Sequence, residues 1–282
     1  MSQRDGLPEF LPSRVRRRAY HLIRMTRDGR LPKLYVAERL RERMEGVEER
    51  RLLELARGER ALCWEADDEP EPLVTIRIAT YNRGALVAER AIASALRQTY
   101  RHLEVLVIGD HCDEATERAV RGVRDSRLHF VNLPVRGNYP SNPWFRWMVA
   151  GAAPMNVGLA LARGKWIAPC DDDDELTEDH VEVLLEHVRR EGAELVWSQA
   201  EAEEPSGVWR VLGREPLRHG QISHGTVLYS GHLRHFRHSM TSWKLDEPAD
   251  WNMWRRMAHA GVKMCFCPKV TYRHYLEGTT RR

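Results

Sequence analysis

The sequence lacks several features that would assign it to common classes of protein. No stretch of its 282 residues approaches the roughly 18–20 uninterrupted apolar residues of a membrane span, and its N-terminus lacks the apolar segment of a secretory signal. Five scattered cysteines are an odd set, which argues against a disulfide framework and favours a reducing compartment. A net charge of +3 is too small to imply nucleic acid as a partner. We therefore expect a cytoplasmic globular protein.

The composition changes near residue 70. The chain before it contains few β-branched residues and reads as helical, with one apolar stripe inside an arginine-rich helix at residues 14–24 and a second that begins at Val36. Residues 65–71 are acidic and contain a proline, as linkers do. We predict a helical N-terminal extension and linker over residues 1–69. Its basic amphipathic helix packs on the rest of the chain or on a second copy in a homo-oligomer, or it lies peripherally on the inner face of a membrane.

From residue 73 onward, strand and helix patterns alternate. Apolar runs separated by amphipathic segments indicate βαβ units and a parallel sheet that is buried on both faces. The predicted strands are residues 73–79, 103–108, 128–133, 166–170 and 195–199. The predicted helices are residues 86–96, 116–123, 156–163 and 178–191. The fold class is therefore α/β, a mostly parallel central sheet flanked by helices.

Three of the predicted strands end in polar residues. Thr80–Arg83 follows the first, Gly109–His111 the second and Asp171–Asp174 the fourth. Ligands of open α/β sheets bind at the carboxyl ends of the strands, so these segments mark the candidate site. Neither G-x-G-x-x-G nor G-x-x-x-x-G-K-[ST] occurs, so a bound nucleotide would need another group to neutralise its phosphates.

The four consecutive aspartates Asp171–Asp174 supply such a group. Carboxylate oxygens suit Mg²⁺ and Mn²⁺, which are usually held by one or two carboxylates together with substrate phosphates. The alternative is a solvated acidic turn that complements the N-terminus of the next helix. The buried strand before the run favours the metal site, because it delivers the carboxylates to the edge of the sheet.

The polar segments together carry a family resemblance. TYNR, then GDHCDEAT, then MNVGLALARGKWIAPCDDDDE resemble, in this order and spacing, the inverting GT-A glycosyltransferases of family 2. The resemblance covers residues 73–200 well and extends more loosely to residue 275. It implies a GT-A domain over residues 70–282, with a donor half at about 70–200 and an acceptor half at about 201–282. The activity that it implies is metal-dependent, inverting transfer of a sugar from a nucleotide-diphosphate donor.

The resemblance also implies how the nucleoside is held. Thr80, Tyr81 and Arg83 would lie around the nucleoside, with the first two nearest the base. Asp110 would accept a hydrogen bond from the edge of uracil. The expected donor is therefore a UDP-sugar.

The acidic run matches the D-x-D of the family. The resemblance places Asp171 near the ribose and Asp173 on the Mn²⁺ or Mg²⁺ that bridges the diphosphate, with Asp172 able to take either role. His274, near the C-terminus, would complete the metal site or contact the diphosphate. A lone histidine is more often structural, so that alternative stays open for His274.

The expected general base lies further along the chain. Asp250–Met257 resembles the family segment in which an acidic residue opens a helix and takes the proton of the acceptor hydroxyl. Asp250 is the match to that residue. The alternative for Asp250 is a helix N-cap, a role that aspartate often fills. The acceptor is left open among a carbohydrate, a lipid-linked compound, a protein and a small molecule.

Two other functions stay open. A non-catalytic relative that binds nucleotide sugars or serves as a scaffold is kept open by Gly109, Met155 and Ala249, where the family usually has an aspartate, an arginine and an acidic residue. A nucleotidyltransferase would normally carry a glycine-rich loop after the first strand, where this chain has only Gly84.

A cluster of histidines lies between residues 219 and 238. His232, His235 and His238 repeat every three residues, with His219 and His224 nearby. Helical spacing of this kind could gather zinc ligands, but no cysteine joins the set. We predict a surface-exposed or acceptor-facing cluster.

Overall fold

The computed structural model of the protein describes residues 31–62 and 69–276. The arginine-rich helix predicted at residues 14–24 and most of the predicted acidic linker lie outside these described residues. Within the described part of the chain, every helix is too short or too polar to cross a membrane.

By its internal contacts the chain divides into two compact units, one that reaches to Glu45 and one that begins at Gly46. Helix α1 (Leu31–Leu62) is helical as predicted and runs through this boundary. In the unit that reaches to Glu45, the side chains of the predicted second apolar stripe are exposed at Val36, Leu40 and Met44.

The described strands form one mixed sheet. They are β1 (Val74–Thr80), β2 (Leu103–Gly109), β3 (Leu128–Asn132), β4 (Trp166–Asp171), β5 (Glu175–Leu176), β6 (Leu195–Glu203), β7 (Trp209–Leu212), β8 (Val227–Ser230) and β9 (Met264–His274). Their order across the sheet is β3-β2-β1-β4-β8-β6-β9-β5, and β7 pairs with β6 outside this path.

Helices flank the sheet. Helix α2 runs from Ala85–Val87 through a π turn at Ala88–Ile92 into Ala93–Leu96. The others are α3 (Glu114–Gly122), α4 (Pro143–Val149), α5 (Ala152–Leu161), α6 (His180–Arg190) and α7 (Ala249–Ala260). The α/β class with a helical N-terminal segment is therefore confirmed.

The first four strands form the parallel part of the sheet. β2, β1 and β4 lie side by side with β3 at the outer edge, all parallel. Every residue of β2 is buried, because its apolar run has helices against both faces. The strands that follow bring in antiparallel pairs, β4 with β8, β8 with β6 and β6 with β7. The sheet is thus parallel where the nucleotide-binding segments were predicted and mixed beyond it.

The second half of α1, from Gly46 onward, packs on the core of the larger unit. Leu53 is fully buried in a cluster with Trp254 and Met257 of α7. The Arg57 guanidinium makes a bidentate pair with the carboxylate of Glu194, at 2.8 and 2.6 Å. This segment therefore belongs to the folded unit and is held by both apolar packing and charge.

Glu194→Ala is expected to destabilise the protein by about 3 kcal/mol, because it leaves the Arg57 guanidinium and the Lys263 backbone N–H without their acceptor. Burial opposes ionisation of Glu194, but hydrogen bonds from Arg57 and His232 outweigh it and hold the pKa of Glu194 well below 4.5. The stabilisation is thus present above about pH 4.5 and is lost as the pH falls. Urea unfolding at pH 7 measures the effect. Glu191→Ala, at an exposed ion pair with Arg190, is the control and should cost about 0–1 kcal/mol.

Candidate active site

The carboxyl ends of three parallel strands form the site. β1 lies between β2 and β4, with Thr80 opposite Gly109 and Ala79 opposite Asp171. The polar segments that follow these strands therefore meet at one edge of the sheet, as the sequence predicts.

A first cavity of about 570 Å³ opens at this edge. Its lining includes all six residues predicted to bind the nucleotide: Thr80, Tyr81, Arg83, Asp110, Asp171 and Asp172. The guanidinium carbon of Arg136 lies 3.6 Å from the centre of the Tyr81 ring, and both residues line the cavity. An aromatic ring backed by a cation offers a flat surface that suits a nucleobase.

Asp110 is a buried acceptor in this first cavity. Its Oδ1 accepts a hydrogen bond from the backbone N–H of Gly137 at 2.8 Å, and its Oδ2 lies 3.9 Å from Nε of Arg136. A Cβ at Gly137 would come within 2.6 Å of the Tyr139 ring, so only glycine allows the backbone to pass this close to that side chain. The backbone N–H of Gly137 therefore holds the Asp110 carboxylate in one orientation.

The acidic run is divided among different partners. Arg83 donates to Asp172 at 2.9 Å and to Asp173 at 2.5 Å. Burial, followed by the charges of Asp172, Asp174 and Asp171, raises the pKa of Asp173 to about 7, and the Arg83 guanidinium offsets only part of that rise. Asp173 therefore lies among like charges in a place where a cation is favoured.

Asp174 is held by three hydrogen bonds from the end of β9 and the residue after it. Its fully buried carboxylate accepts hydrogen bonds from the Tyr272 hydroxyl at 2.8 Å, from Nδ1 of His274 at 2.7 Å and from the backbone N–H of Tyr275 at 2.9 Å. The hydrogen bond to Asp174 outweighs burial and raises the pKa of His274 to about 9. Asp174 thus ties β9 and the segment after it to the sheet edge, and His274 is anchored to this carboxylate.

The donor groups of the site fit a divalent cation that shares its ligands with a diphosphate. Within residues 31–62 and 69–276, no group of three or more histidine, cysteine or acidic side chains is arranged as a complete metal cage. Mg²⁺ and Mn²⁺ need only one or two protein carboxylates when phosphates supply the rest. Asp173, whose carboxylate lies among like charges, is the residue that the sequence predicts to provide one.

A second cavity of about 490 Å³ adjoins the first. Its lining includes Asp171, Asp173, Asp250 and His274. The two cavities share Trp147, Ala150, Met155 and Asp171. The predicted base and metal residues thus face one space, the predicted nucleotide residues face the other, and Asp171 belongs to both.

Asp250 lies in the first turn of α7. Pro248 occupies the N-cap of this helix, so the N-cap alternative for Asp250 is wrong. Burial raises the pKa of Asp250 above 3.8, while the neighbouring His224 and the backbone N–H of Trp251 act in the opposite direction. A raised pKa brings this carboxylate closer to the range in which general bases work at neutral pH.

The histidine cluster is more buried than the sequence suggests. His224 and His238 are buried and contact the guanidinium of Arg77, while His232 pairs with Glu194. Of the two predicted arrangements, exposure at the surface is therefore wrong for these residues. An acceptor-facing position stays a prediction for His224, which lines the second cavity. Sequence reasoning missed Arg77, and the signal was a charged residue inside an otherwise apolar strand.

Comparison with solved structures defines the fold class. S. aureus TarS, as its 1–349 fragment, matches with a TM-score of 0.57 over 72% of this chain and 60% of that one, at 16% identity. The mannosyltransferase PcManGT from Pyrobaculum calidifontis matches with a TM-score of 0.50 over 86% of this chain and 68% of that one, at 18% identity. The fold is that of the GT-A glycosyltransferases.

The family follows from the sequence. The model of the family described as Glycosyl transferase family 2 matches residues 75–245, which is more than half of the chain. The chain belongs to glycosyltransferase family 2.

Curated relatives are similar over part of their length. ExoO, a succinoglycan biosynthesis protein of Rhizobium meliloti, is 34% identical over 44% of this chain and 32% of its own. WfaP of Escherichia coli, a UDP-Glc:alpha-D-GlcNAc-diphosphoundecaprenol beta-1,3-glucosyltransferase, is 27% identical over 55% of each chain. Chondroitin synthase of Escherichia coli is 28% identical over 73% of this chain and 29% of its own. The chain thus spans about a third to a half of the length of these relatives.

Proposed function

We propose that the protein is a metal-dependent, inverting glycosyltransferase that moves a sugar from a UDP-sugar to an acceptor hydroxyl. The observation that carries the proposal is the meeting of the two cavities at Asp171. The residues proposed to hold the nucleotide lie on one side of this junction, and Asp250, the proposed base, lies on the other.

The donor assignment is supported by the environment of Asp110. The Asp110 carboxylate is buried and held in place, as an acceptor for the N3–H of uracil would need to be. TarS has been solved in complex with UDP and with UDP-GlcNAc, which supports a uridine donor. PcManGT was solved with GDP-Man and Mn²⁺, which supports a metal and makes GDP the nucleotide to test against UDP.

The proposed reaction uses two carboxylates on opposite sides of the sugar. Asp250 accepts the proton of the acceptor hydroxyl while that oxygen bonds to the anomeric carbon and the bond to the diphosphate oxygen breaks. Attack from the face opposite the diphosphate inverts the configuration. Asp173 would hold Mn²⁺ or Mg²⁺, which when bound supplies charge that stabilises the departing diphosphate. Arg83, hydrogen-bonded to Asp173, would place a second positive charge beside the oxygens of the departing diphosphate.

The acceptor that we propose is a saccharide hydroxyl. ExoO and chondroitin synthase carry names of polysaccharide biosynthesis, and WfaP is named for a lipid-linked saccharide. The cavity beside Asp250 has the volume to admit a sugar ring, at about 490 Å³.

Thermal unfolding with UDP, GDP, dTDP and CDP, each with and without Mn²⁺, tests the donor site. We expect UDP with Mn²⁺ to raise the Tm by about 5 °C at 100 times its Kd, because a ligand at that concentration stabilises the folded state by about 2.7 kcal/mol. Asp110→Asn should lose this shift.

The matched control is Asp113→Asn. Asp113 is three residues away and caps α3 by accepting from the backbone N–H of Thr116, a role that asparagine also fills. This variant should keep the full UDP shift. If none of the four nucleotides shifts the Tm of the wild type, the donor site is absent and a non-catalytic relative is the better description.

A further inference from the structure

A buried arginine lies beneath the active site. Arg77 is in the middle of β1 and is fully buried. Its Nη2 lies 3.1 Å from Nε2 of His224 and 3.3 Å from Nε2 of His238. Its Nε and Nη1 make no hydrogen bond of good geometry among the described residues, although the buried Tyr229 hydroxyl is near enough to oppose the fall in the pKa of Arg77 that burial causes. Burying a cation with unsatisfied N–H groups lowers the free energy of unfolding, so we look for a function that explains why this arginine is present.

The contacts of Arg77 determine which nitrogen of His224 carries the proton. A guanidinium can only donate hydrogen bonds, so Nε2 of His224 must be the acceptor and lack a proton. The proton of the neutral ring is therefore on Nδ1. That nitrogen lies 2.9 Å from Oδ1 of Asp171, so the ring donates to this carboxylate.

The three residues thus form a chain of hydrogen bonds from the interior of the sheet to the junction of the two cavities. Asp171 lines both cavities, and His224 lines the one that contains Asp250. We propose that Arg77 is a positioning residue for sugar transfer, which holds His224 in its Nδ1–H form and thereby orients the Asp171 carboxylate. The catalytic part of this inference rests on the proposed function; the part that concerns the tautomer does not.

The surrounding structure is built to accommodate this arginine. A Cβ at Gly158 of α5 would lie 2.7 Å from Cδ and 2.9 Å from Cγ of Arg77, so a glycine there leaves room for the side chain. Asn156 holds the backbone of His238 in both directions, donating to its carbonyl at 2.9 Å and accepting from its N–H at 2.8 Å. Burial and then the charge of Arg77 lower the pKa of His238 well below 6.5, which keeps its ring neutral as a second acceptor.

Steady-state kinetics test the effect on turnover. Arg77→Met keeps the length and apolar bulk of the side chain but removes its donors, and we expect kcat to fall by about 10–100-fold, as for other residues that orient a ligating carboxylate or imidazole. The KM for the donor should change by less than about threefold, because Arg77 does not line either cavity. Arg77→Lys, which retains a charged donor, should recover part of kcat.

Substitutions at His224 follow the same reasoning. His224→Asn places an amide N–H where Nδ1–H stood and should retain more activity than His224→Leu, which removes the donor to Asp171. Arg127→Met is the matched control, because Arg127 is a partly buried arginine on the far side of β2, paired with Asp125. Arg127→Met should have the kcat of the wild type once the rate is divided by the concentration of folded protein, which circular dichroism measures.

Nitrogen NMR of protein labelled with ¹⁵N-histidine reads the tautomer without any substrate. The His224 signal is identified by its loss in His224→Asn. We expect the Nδ1–H form in the wild type and a shift towards the Nε2–H form in Arg77→Met. An Nε2–H ring in the wild type, or an unchanged ring and kcat in Arg77→Met, would overturn the inference. If the tautomer behaves as expected while the wild type transfers no sugar, the proposed function fails and the hydrogen-bond chain stands.

Discussion

Asp250→Asn is expected to reduce sugar transfer by about 10²–10⁴-fold, the contribution that a general base makes to such a reaction. The amide of asparagine is close in shape to the carboxylate but cannot take the acceptor proton. Asp250 is the acidic residue of the first turn of α7, and it lines the cavity that adjoins the proposed nucleotide site. Loss of the base should therefore lower kcat and leave nucleotide binding intact.

The pH dependence supplies a second signature of the same residue. Because burial raises the pKa of Asp250, the acid-side fall of wild-type kcat should lie at a pH above 3.8. The charged form is the active one, so activity rises with pH through this pKa. In Asp250→Asn this acid limb should disappear from the residual activity.

The control for Asp250→Asn is Asp246→Asn. Asp246 lies four residues earlier with a φ of 58°, a conformation that asparagine also tolerates, and it lines neither cavity. It should retain wild-type turnover. Normal turnover in the Asp250→Asn protein, measured as nucleotide released in the presence of acceptor, would contradict the assignment of Asp250 as the base.

Asp173→Asn is expected to have two opposite effects. It should abolish the Mn²⁺-dependent Tm shift with UDP, because Asp173 is the proposed metal ligand. It should also stabilise the metal-free protein at pH 8. The pKa of Asp173 is raised to about 7, mainly by burial and by the charge of Asp172, so the folded state favours its protonated form.

The sign of the stability effect follows from this raised pKa. A carboxylate with a pKa of about 7 when folded and 3.8 when unfolded contributes nothing unfavourable below pH 3.8 and destabilises the folded state progressively as the pH rises towards 7. The amide avoids this cost, although Arg83 loses one of its two carboxylate partners. We expect a net gain on the order of 1–2 kcal/mol at pH 8 and less at pH 5.

Urea unfolding in the presence of a chelator, at pH 5 and pH 8, measures this difference. Asp179→Asn is the control, since Asp179 is an exposed residue outside the run that accepts a hydrogen bond from the Thr177 hydroxyl. The difference in unfolding free energy between this variant and the wild type should be small at both pH values. An Asp173→Asn protein that is less stable than the wild type at pH 8, or that keeps its Mn²⁺-dependent shift, would contradict the assignment.

The helices and strands of the donor half could be read from the sequence because they depend on local patterns. The apolar run at residues 103–108 predicts a strand buried on both faces, and β2 is buried along its whole length. The alternation of strands and helices predicts parallel strands, and β1, β2, β3 and β4 do pair in parallel. The short strands β5, β7 and β8 were not predicted, because two to four residues carry too little periodicity to be recognised.

The sequence by itself determined the α/β class and the membership of family 2, because strand ends and motif order are written along the chain. It also predicted nine site residues, each of which lines one or both of the two cavities. Only the tertiary structure decided which partners each of those residues contacts. Arg83 and Asp173 lie 90 residues apart in sequence, His274 and Asp174 lie 100 apart, and His224 and Asp171 lie 53 apart. In a run of four identical aspartates, no local pattern distinguishes the one that ties down β9 from the one that we propose as the metal ligand. Their roles follow from the partners that folding brings to each, and the buried Arg77 beneath them is likewise visible only once the sheet is assembled.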